Sequence, residues 1–171
     1  FYATAWTPYL IRLADYGYSR GEFKFVVSYC APPENDNCAD AVAVELDNSY
    51  EGSTLGATMD GTSSCGTDDT ADVWYQYTAT ENGNVIFSIY SYEWEDPYYS
   101  AAVFDSCGGS ELACSIYTGE GDPITVVVLE NAVQGQTYYL RVAREDNNYG
   151  QFDLFVERGP DNDNCSLAVA L

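Results

Sequence analysis

The sequence predicts an all-β fold: a jelly-roll-type antiparallel β-sandwich with partial flanking repeat strands at both ends. Three observations predict it. The 171 residues are 46% hydrophobic and 15% aromatic. Val, Thr, Tyr and Phe are plentiful and helix formers scarce, a balance that suits pleated, half-buried surfaces. Strand-length apolar runs recur at regular spacing with Gly, Asn and Asp between them. The two ends of the chain also repeat each other. The length suits one domain with a real core.

Taken in order, Ala41 to Leu46 reads as a short apolar strand and Ser53 to Met59 as a weak one. Asp72 to Thr78 alternates with period 2, which puts Val73, Tyr75 and Tyr77 on one face. Glu81-Asn82-Gly83-Asn84 predicts a hairpin turn into the strand Val85 to Tyr90. Ala101 to Phe104, Leu112 to Ser115 and Ile124 to Leu129 follow. The turn Gln134-Gly135-Gln136 opens Thr137 to Ala143, and Gln151 to Val156 closes the unit. Eight or nine strands of this spacing predict the sandwich. No amphipathic helix pattern occurs.

The repeat sets the boundaries. Asn35-Asp36-Asn37-Cys38 before an apolar run recurs as Asn162-Asp163-Asn164-Cys165, 127 positions on (165 − 38). Tyr9, Arg12, Ala14, Gly21, Phe23 and Val27 match Tyr138, Arg141, Ala143, Gly150, Phe152 and Val156, each pair 129 apart (150 − 21). Residues 1–32 therefore read as the last two strands of a preceding repeat, or as donor strands. Residues 33–159 read as a complete sandwich and 160–171 as the first strand of the next repeat.

The formal net charge is −21, from 27 acidic and 6 basic residues, and no Lys or Arg lies between Phe25 and Leu140. Nucleic acid and anionic membranes need cations on the protein, so both are excluded as partners. No apolar run is long enough to insert into a membrane. Six Cys without a His or a CxxC pair predict disulfides and an extracellular or cell-surface location. Cys107 and Cys114 bracket Gly108-Gly109 and are expected to staple a local hairpin; Cys38 and Cys65 are expected to pair. Cys30 and Cys165 are left to bond each other or neighbouring units. Asn164-Cys165-Ser166 is the only N-glycosylation triplet.

The chain also resembles a known family. The motifs that carry the resemblance are Asn-Asp-Asn-Cys with its Ala-Val run, Cys65-Gly66, Asp72-Val73-Trp74-Tyr75, Val103 to Gly109 and Glu111-Leu112-Ala113-Cys114. Gly135 to Val142 and Gly150-Gln151-Phe152 complete them. Together they are similar to the bacterial pre-peptidase C-terminal-like (PPC-like) β-sandwich repeats of secreted and surface proteins. The resemblance implies a jelly-roll sandwich, tandem arrays, and binding or structural roles without catalysis, with calcium or extracellular polymers as ligands of some members. The aromatic, acidic stretch Tyr90 to Tyr99 departs from the pattern, as does Cys30.

Catalytic residues are not expected. Without His there is no Ser-His-Asp or Cys-His arrangement, and no Gly-rich phosphate loop with Lys exists. Glu93 and Glu95 lie among aromatics, but in a chain with 27 acids such neighbours occur without meaning. For Ca2+, which takes ~6–8 oxygen ligands, Asn35, Asp36, Asn37, Asp68, Asp69 and Asp72 are the candidate loop residues. Asx turns and strand-end caps are the plainer use of the same residues. Tyr90, Tyr92, Trp94, Tyr98 and Tyr99 are the candidate binding residues, for glycan or for a partner surface. A core-facing or intermodule stripe is the competing reading of them. Two functions follow. The first is a structural module of an extracellular filament or surface array, joined head-to-tail to copies of itself or to adjacent repeats. The alternative is a secreted polysaccharide- or polymer-binding module attached to an enzyme or adhesin.

Overall fold

In the computed structural model, residues 6–14, 22–27, 30–92, 98–117, 119, 123–145 and 149–160 are described. Nine strands form two packed sheets: β1 (Val42–Val44), β2 (Asn48–Ser53), β3 (Asp69–Thr78), β4 (Gly83–Ser91), β5 (Tyr99–Phe104), β6 (Glu111–Ile116), β7 (Ile124–Ala132), β8 (Thr137–Glu145) and β9 (Gln151–Arg158). The five-stranded sheet runs β1-β3-β8-β5-β6 and the four-stranded sheet β2-β9-β4-β7. A single 3₁₀ turn, Cys38–Asp40, is the only helical element among the described residues. The predicted all-β jelly-roll-type sandwich is the fold. One pair departs from the antiparallel pattern: β1 lies parallel to β3, with Val42 opposite Tyr75.

Period 2 builds the core. Val73, Tyr75 and Tyr77 of β3 all point between the sheets, as the alternation predicts. They meet Phe87 and Ile89 of β4, Leu140 of β8, and Phe152 and Leu154 of β9. The rings interlock edge to face, with Tyr75–Phe152 centroids 6.3 Å apart and Tyr77–Phe87 6.1 Å apart. Gly52 on β2 sits so close that a Cβ there would run into the Phe152 ring and the Tyr75 hydroxyl.

Topology corrects two of the element expectations. Glu81 to Asn84 is not a hairpin turn. It carries the chain from β3 in one sheet to β4 in the other. Only β5 and β6 are sequence neighbours paired in one sheet. A turn signature reports a chain reversal and not which layer receives the next strand. The weak strand expected at Ser53 to Met59 lies earlier, as β2, where Asn48–Ser53 pairs with β9. Thr54 onward becomes a loop that crosses the outside of the five-stranded sheet. Gly61, within it, packs over the Trp74 ring.

That loop explains why both faces of the sheet centre are buried. On its outer side Trp74, Ala102 and Phe104 form a second, smaller cluster with Cys38 and Ala41. Two disulfides pin the covering segments, and they correct the expected pairing: Cys38 bonds Cys107 and Cys65 bonds Cys114, with Cα separations of 5.7 Å and 5.9 Å. The hairpin register is the reason. Cys114 lies opposite Ala102 on the outer face, whereas Cys107 lies beyond the end of β5 in the turn. The two are out of step along the hairpin, so each bonds a covering segment instead. Cys30 is exposed and unbonded among the described residues, and Cys165 lies outside them.

The described parts of the flank, 6–14 and 22–27, contain no strand and are exposed. Of residues 160–171, expected as the first strand of the next repeat, 161–171 lie outside the described residues.

Candidate functional site

Along β4, Val85, Phe87 and Ile89 face the core, so Ile86, Ser88 and Tyr90 face outward. Their cross-strand partners lie on the same outer face. Tyr90 is opposite Asp153 on β9, Ser88 opposite Phe155, and Glu51 of β2 opposite Asp153. On the other side Ser88 is opposite Val126 and Ile86 opposite Val128. The result is an apolar strip of Ile86, Tyr90, Phe155, Val126 and Val128, edged by carboxylates.

Tyr90 is 39% exposed and stands edge-on to Phe155, with centroids 5.1 Å apart. Tyr92, 53% exposed, hydrogen-bonds to the Asp153 carboxylate, which raises the phenol pKa above its ordinary value; the charges of Asp153 and Glu51 add to the rise. Tyr92 therefore stays a neutral hydroxyl, fixed in orientation and able to accept a further hydrogen bond. Aromatic edges beside carboxylate acceptors are suited to a polyhydroxylated ligand, whose C–H faces pack on rings and whose hydroxyls donate to the acids.

Of the five predicted binding residues, Tyr90 and Tyr92 share this face. The core-facing reading of their stripe is corrected, because β4 buries the alternate set. Tyr98 is 48% exposed but packs edge-on against Tyr117, at 5.7 Å. Tyr99 belongs to the core: it is 1% exposed, with the Arg144 guanidinium 5.0 Å above its ring and Phe152 at 5.2 Å. Trp94 lies outside the described residues. Sequence reading missed Asp153, Phe155 and Glu51. The alternation Phe152, Leu154, Val156 was the available signal, since it sends Asp153 and Phe155 outward. That β9 lies between β2 and β4 has no local signature.

Four of the six residues named for calcium, Asn35, Asp36, Asp69 and Asp72, have partners within the protein. Arg141 donates from Nε to Asp72 at 2.5 Å and from Nη1 to Asp69 at 2.6 Å, with all three side chains buried. Asp72 also accepts from the amides of Asp60 and Gly61; burial holds its carboxyl pKa above the ordinary value, against the opposing pull of Arg141 and the Asp60 amide. Asp69 accepts from Ser100 Oγ at 2.8 Å. Asp36 accepts from the amide and hydroxyl of Thr58, and Asn35 donates to the Trp74 carbonyl. Asn37 and Asp68 are exposed. Among the described residues no three acidic or Cys side chains gather where they could hold a metal ion. The positive charge beside Asp69 and Asp72 is that of Arg141.

A second concavity, of about 820 Å³, opens beside the Cys38–Cys107 bond and is lined by Asp40, Met59, Asp60, Trp74 and Phe104. Trp74 is only 3% exposed and its indole N–H donates to Asp60 at 2.5 Å, so its ring forms a wall and offers no platform.

Residues 34–156 match a family model, T9SS-associated, described as galactose binding domain-like. No curated protein matches the chain. Among solved structures, the pre-peptidase C-terminal domain of collagenase from Bacillus anthracis aligns over 68% of this chain and 94% of that one, at 19% identity and a TM-score of 0.47. CsCBM6-3 from Clostridium stercorarium, solved in complex with cellobiose, aligns over 70% of this chain and 98% of that one, at 13% identity and a TM-score of 0.34. The T9SS-associated family and the two disulfides make this a secreted or surface-located chain.

Proposed function

Because the chain belongs to the galactose binding domain-like family, we propose that it is a non-catalytic module that holds an extracellular polysaccharide on the outer face of its four-stranded sheet. The observation that carries the proposal is the constellation at one end of that face, where Tyr90, Tyr92 and Glu51 are exposed around a half-buried Asp153. An apolar strip with a few fixed polar groups is how a protein orients a sugar ring without reacting with it. The polar groups named here are carboxylates, so the ligand they suit is a neutral glycan whose hydroxyls donate. The head-to-tail filament gains nothing from the family match, which favours the polymer-binding alternative. Attachment to an enzyme fits an accessory domain of this type.

Affinity electrophoresis through gels cast with neutral polysaccharides, galactans and β-glucans among them, tests the proposal. At least one polymer is expected to retard the chain, and the Tyr90→Ala/Tyr92→Ala double variant to bind at least ~10-fold more weakly. Stacked rings are worth on the order of 0.5–1.5 kcal/mol each beyond their area, which two substitutions turn into about that loss. No retardation by any polymer, or equal retardation of the double variant, overturns the assignment.

A further inference from the structure

The strand pair β8–β9 has a second copy in the sequence, 129 positions earlier (150 − 21). Within the sandwich, Tyr138, Leu140 and Val142 of β8 and Phe152, Leu154 and Val156 of β9 are core residues, none more than 4% exposed. Their counterparts Tyr9, Ile11, Leu13, Phe23, Phe25 and Val27 are 43% to 73% exposed. The alternation is preserved and its burial is not. Leaving six large apolar side chains this exposed is unfavourable by about 25 cal/mol for each Å² that a partner could cover.

Arg12 identifies the partner. Its counterpart Arg141 is 1% exposed and bonds Asp69 and Asp72, both on the adjoining strand β3. The sandwich of this chain has no place for a second such pair: β8 is flanked by β3 and β5, and β9 by β2 and β4. A second copy of the strand pair needs a second β3 and a second pair of aspartates.

We propose that residues 8–14 and 22–27 are the closing strand pair of another copy of this domain, which takes its last two strands from this segment. Arg12 is there buried against two aspartates spaced as Asp69 and Asp72 are. The copies differ in detail: Asp15 stands where Arg144 does and Lys24 where Asp153 does. The other sandwich therefore carries a cation where this one has the carboxylate that orients Tyr92.

A transplant tests this in the full chain. Residues 137–158 are replaced by the sequence of residues 8–29, which is the same length, with Arg144 retained because Asp15 in its place would be buried against Tyr99. A scrambled 8–29 segment is the control. The transplant is expected to form both disulfides and to melt cooperatively within roughly 15 °C of the parent, the size of shift that a few unfavourable substitutions give a domain of this length. Arg12→Ala within the transplanted segment is expected to abolish that transition or lower it by a further several degrees. A transplant no better folded than the scrambled control overturns the proposal. A transplant indifferent to Arg12→Ala overturns the ion-pair assignment.

Discussion

Arg141 lies with its Nε on Asp72 and its Nη1 on Asp69, and none of the three side chains reaches solvent. Removing the cation leaves two buried carboxylates uncompensated, so Arg141→Ala is expected to cost about 3–5 kcal/mol by urea denaturation. Arg141→Lys is expected to recover only part of that, because one ammonium does not present the two separated donors of the guanidinium. Tyr75 supplies a pH dependence of known sign. Burial pushes its phenol up to about 12 from its ordinary value of 10.0. The folded state thus holds this proton more tightly than the unfolded chain does. Its contribution is complete below pH 10 and is lost as pH rises through about 12, some 2–3 kcal/mol in all. Denaturation melts between pH 9 and 12 should show the fall, and Tyr75→Phe should flatten it.

At the scale of the element, the β5–β6 hairpin holds down two covering segments, the 3₁₀ turn through Cys38 and the loop through Cys65. The Cys38–Cys107 and Cys65–Cys114 bonds close separations of 69 and 49 residues. Loop closure of that length is worth about 4 kcal/mol for each bond. Cys38→Ser/Cys107→Ser is expected to lose roughly that amount and to loosen the 3₁₀ turn from Trp74 and Phe104. Non-reducing peptide mapping with a protease that cuts after Glu, which separates Cys107 from Cys114 at Glu111, should recover 38 with 107 and 65 with 114. A peptide joining 107 to 114 would refute the register argument. The outward face of β4 is a second consequence of register. One residue of slip would exchange Tyr90 with Ser91 and turn the aromatic face into the core.

For the whole molecule, the positive charge is sparse where the sandwich meets solvent. Among its described residues Arg141 and Arg144 are buried and the half-exposed Arg158 pairs with Glu81, while Arg12 and Lys24 of the flank are exposed. The net charge of −21 is therefore an outward-facing field. Polyanions such as polygalacturonate should be repelled, while binding of a neutral glycan should change by less than about twofold between 0.05 and 0.5 M NaCl, since screening acts on charge pairs. A steep salt dependence would contradict a neutral ligand.

The sequence determined the class of fold, the inward set Val73, Tyr75 and Tyr77, and the existence of disulfides. These are local or summed properties: the period of a strand, the spacing of turn residues, a count of cysteines. The disulfide partners, the crossing of Glu81 to Asn84 between sheets, the service of Asp69 and Asp72 to Arg141, and the meeting of Tyr92 with Asp153 and Glu51 were decided by tertiary structure alone. Each depends on which strands become neighbours. In a sandwich whose chain changes sheet at nearly every connection, that adjacency is fixed by packing two twisted layers over one core, and no short stretch of sequence encodes it.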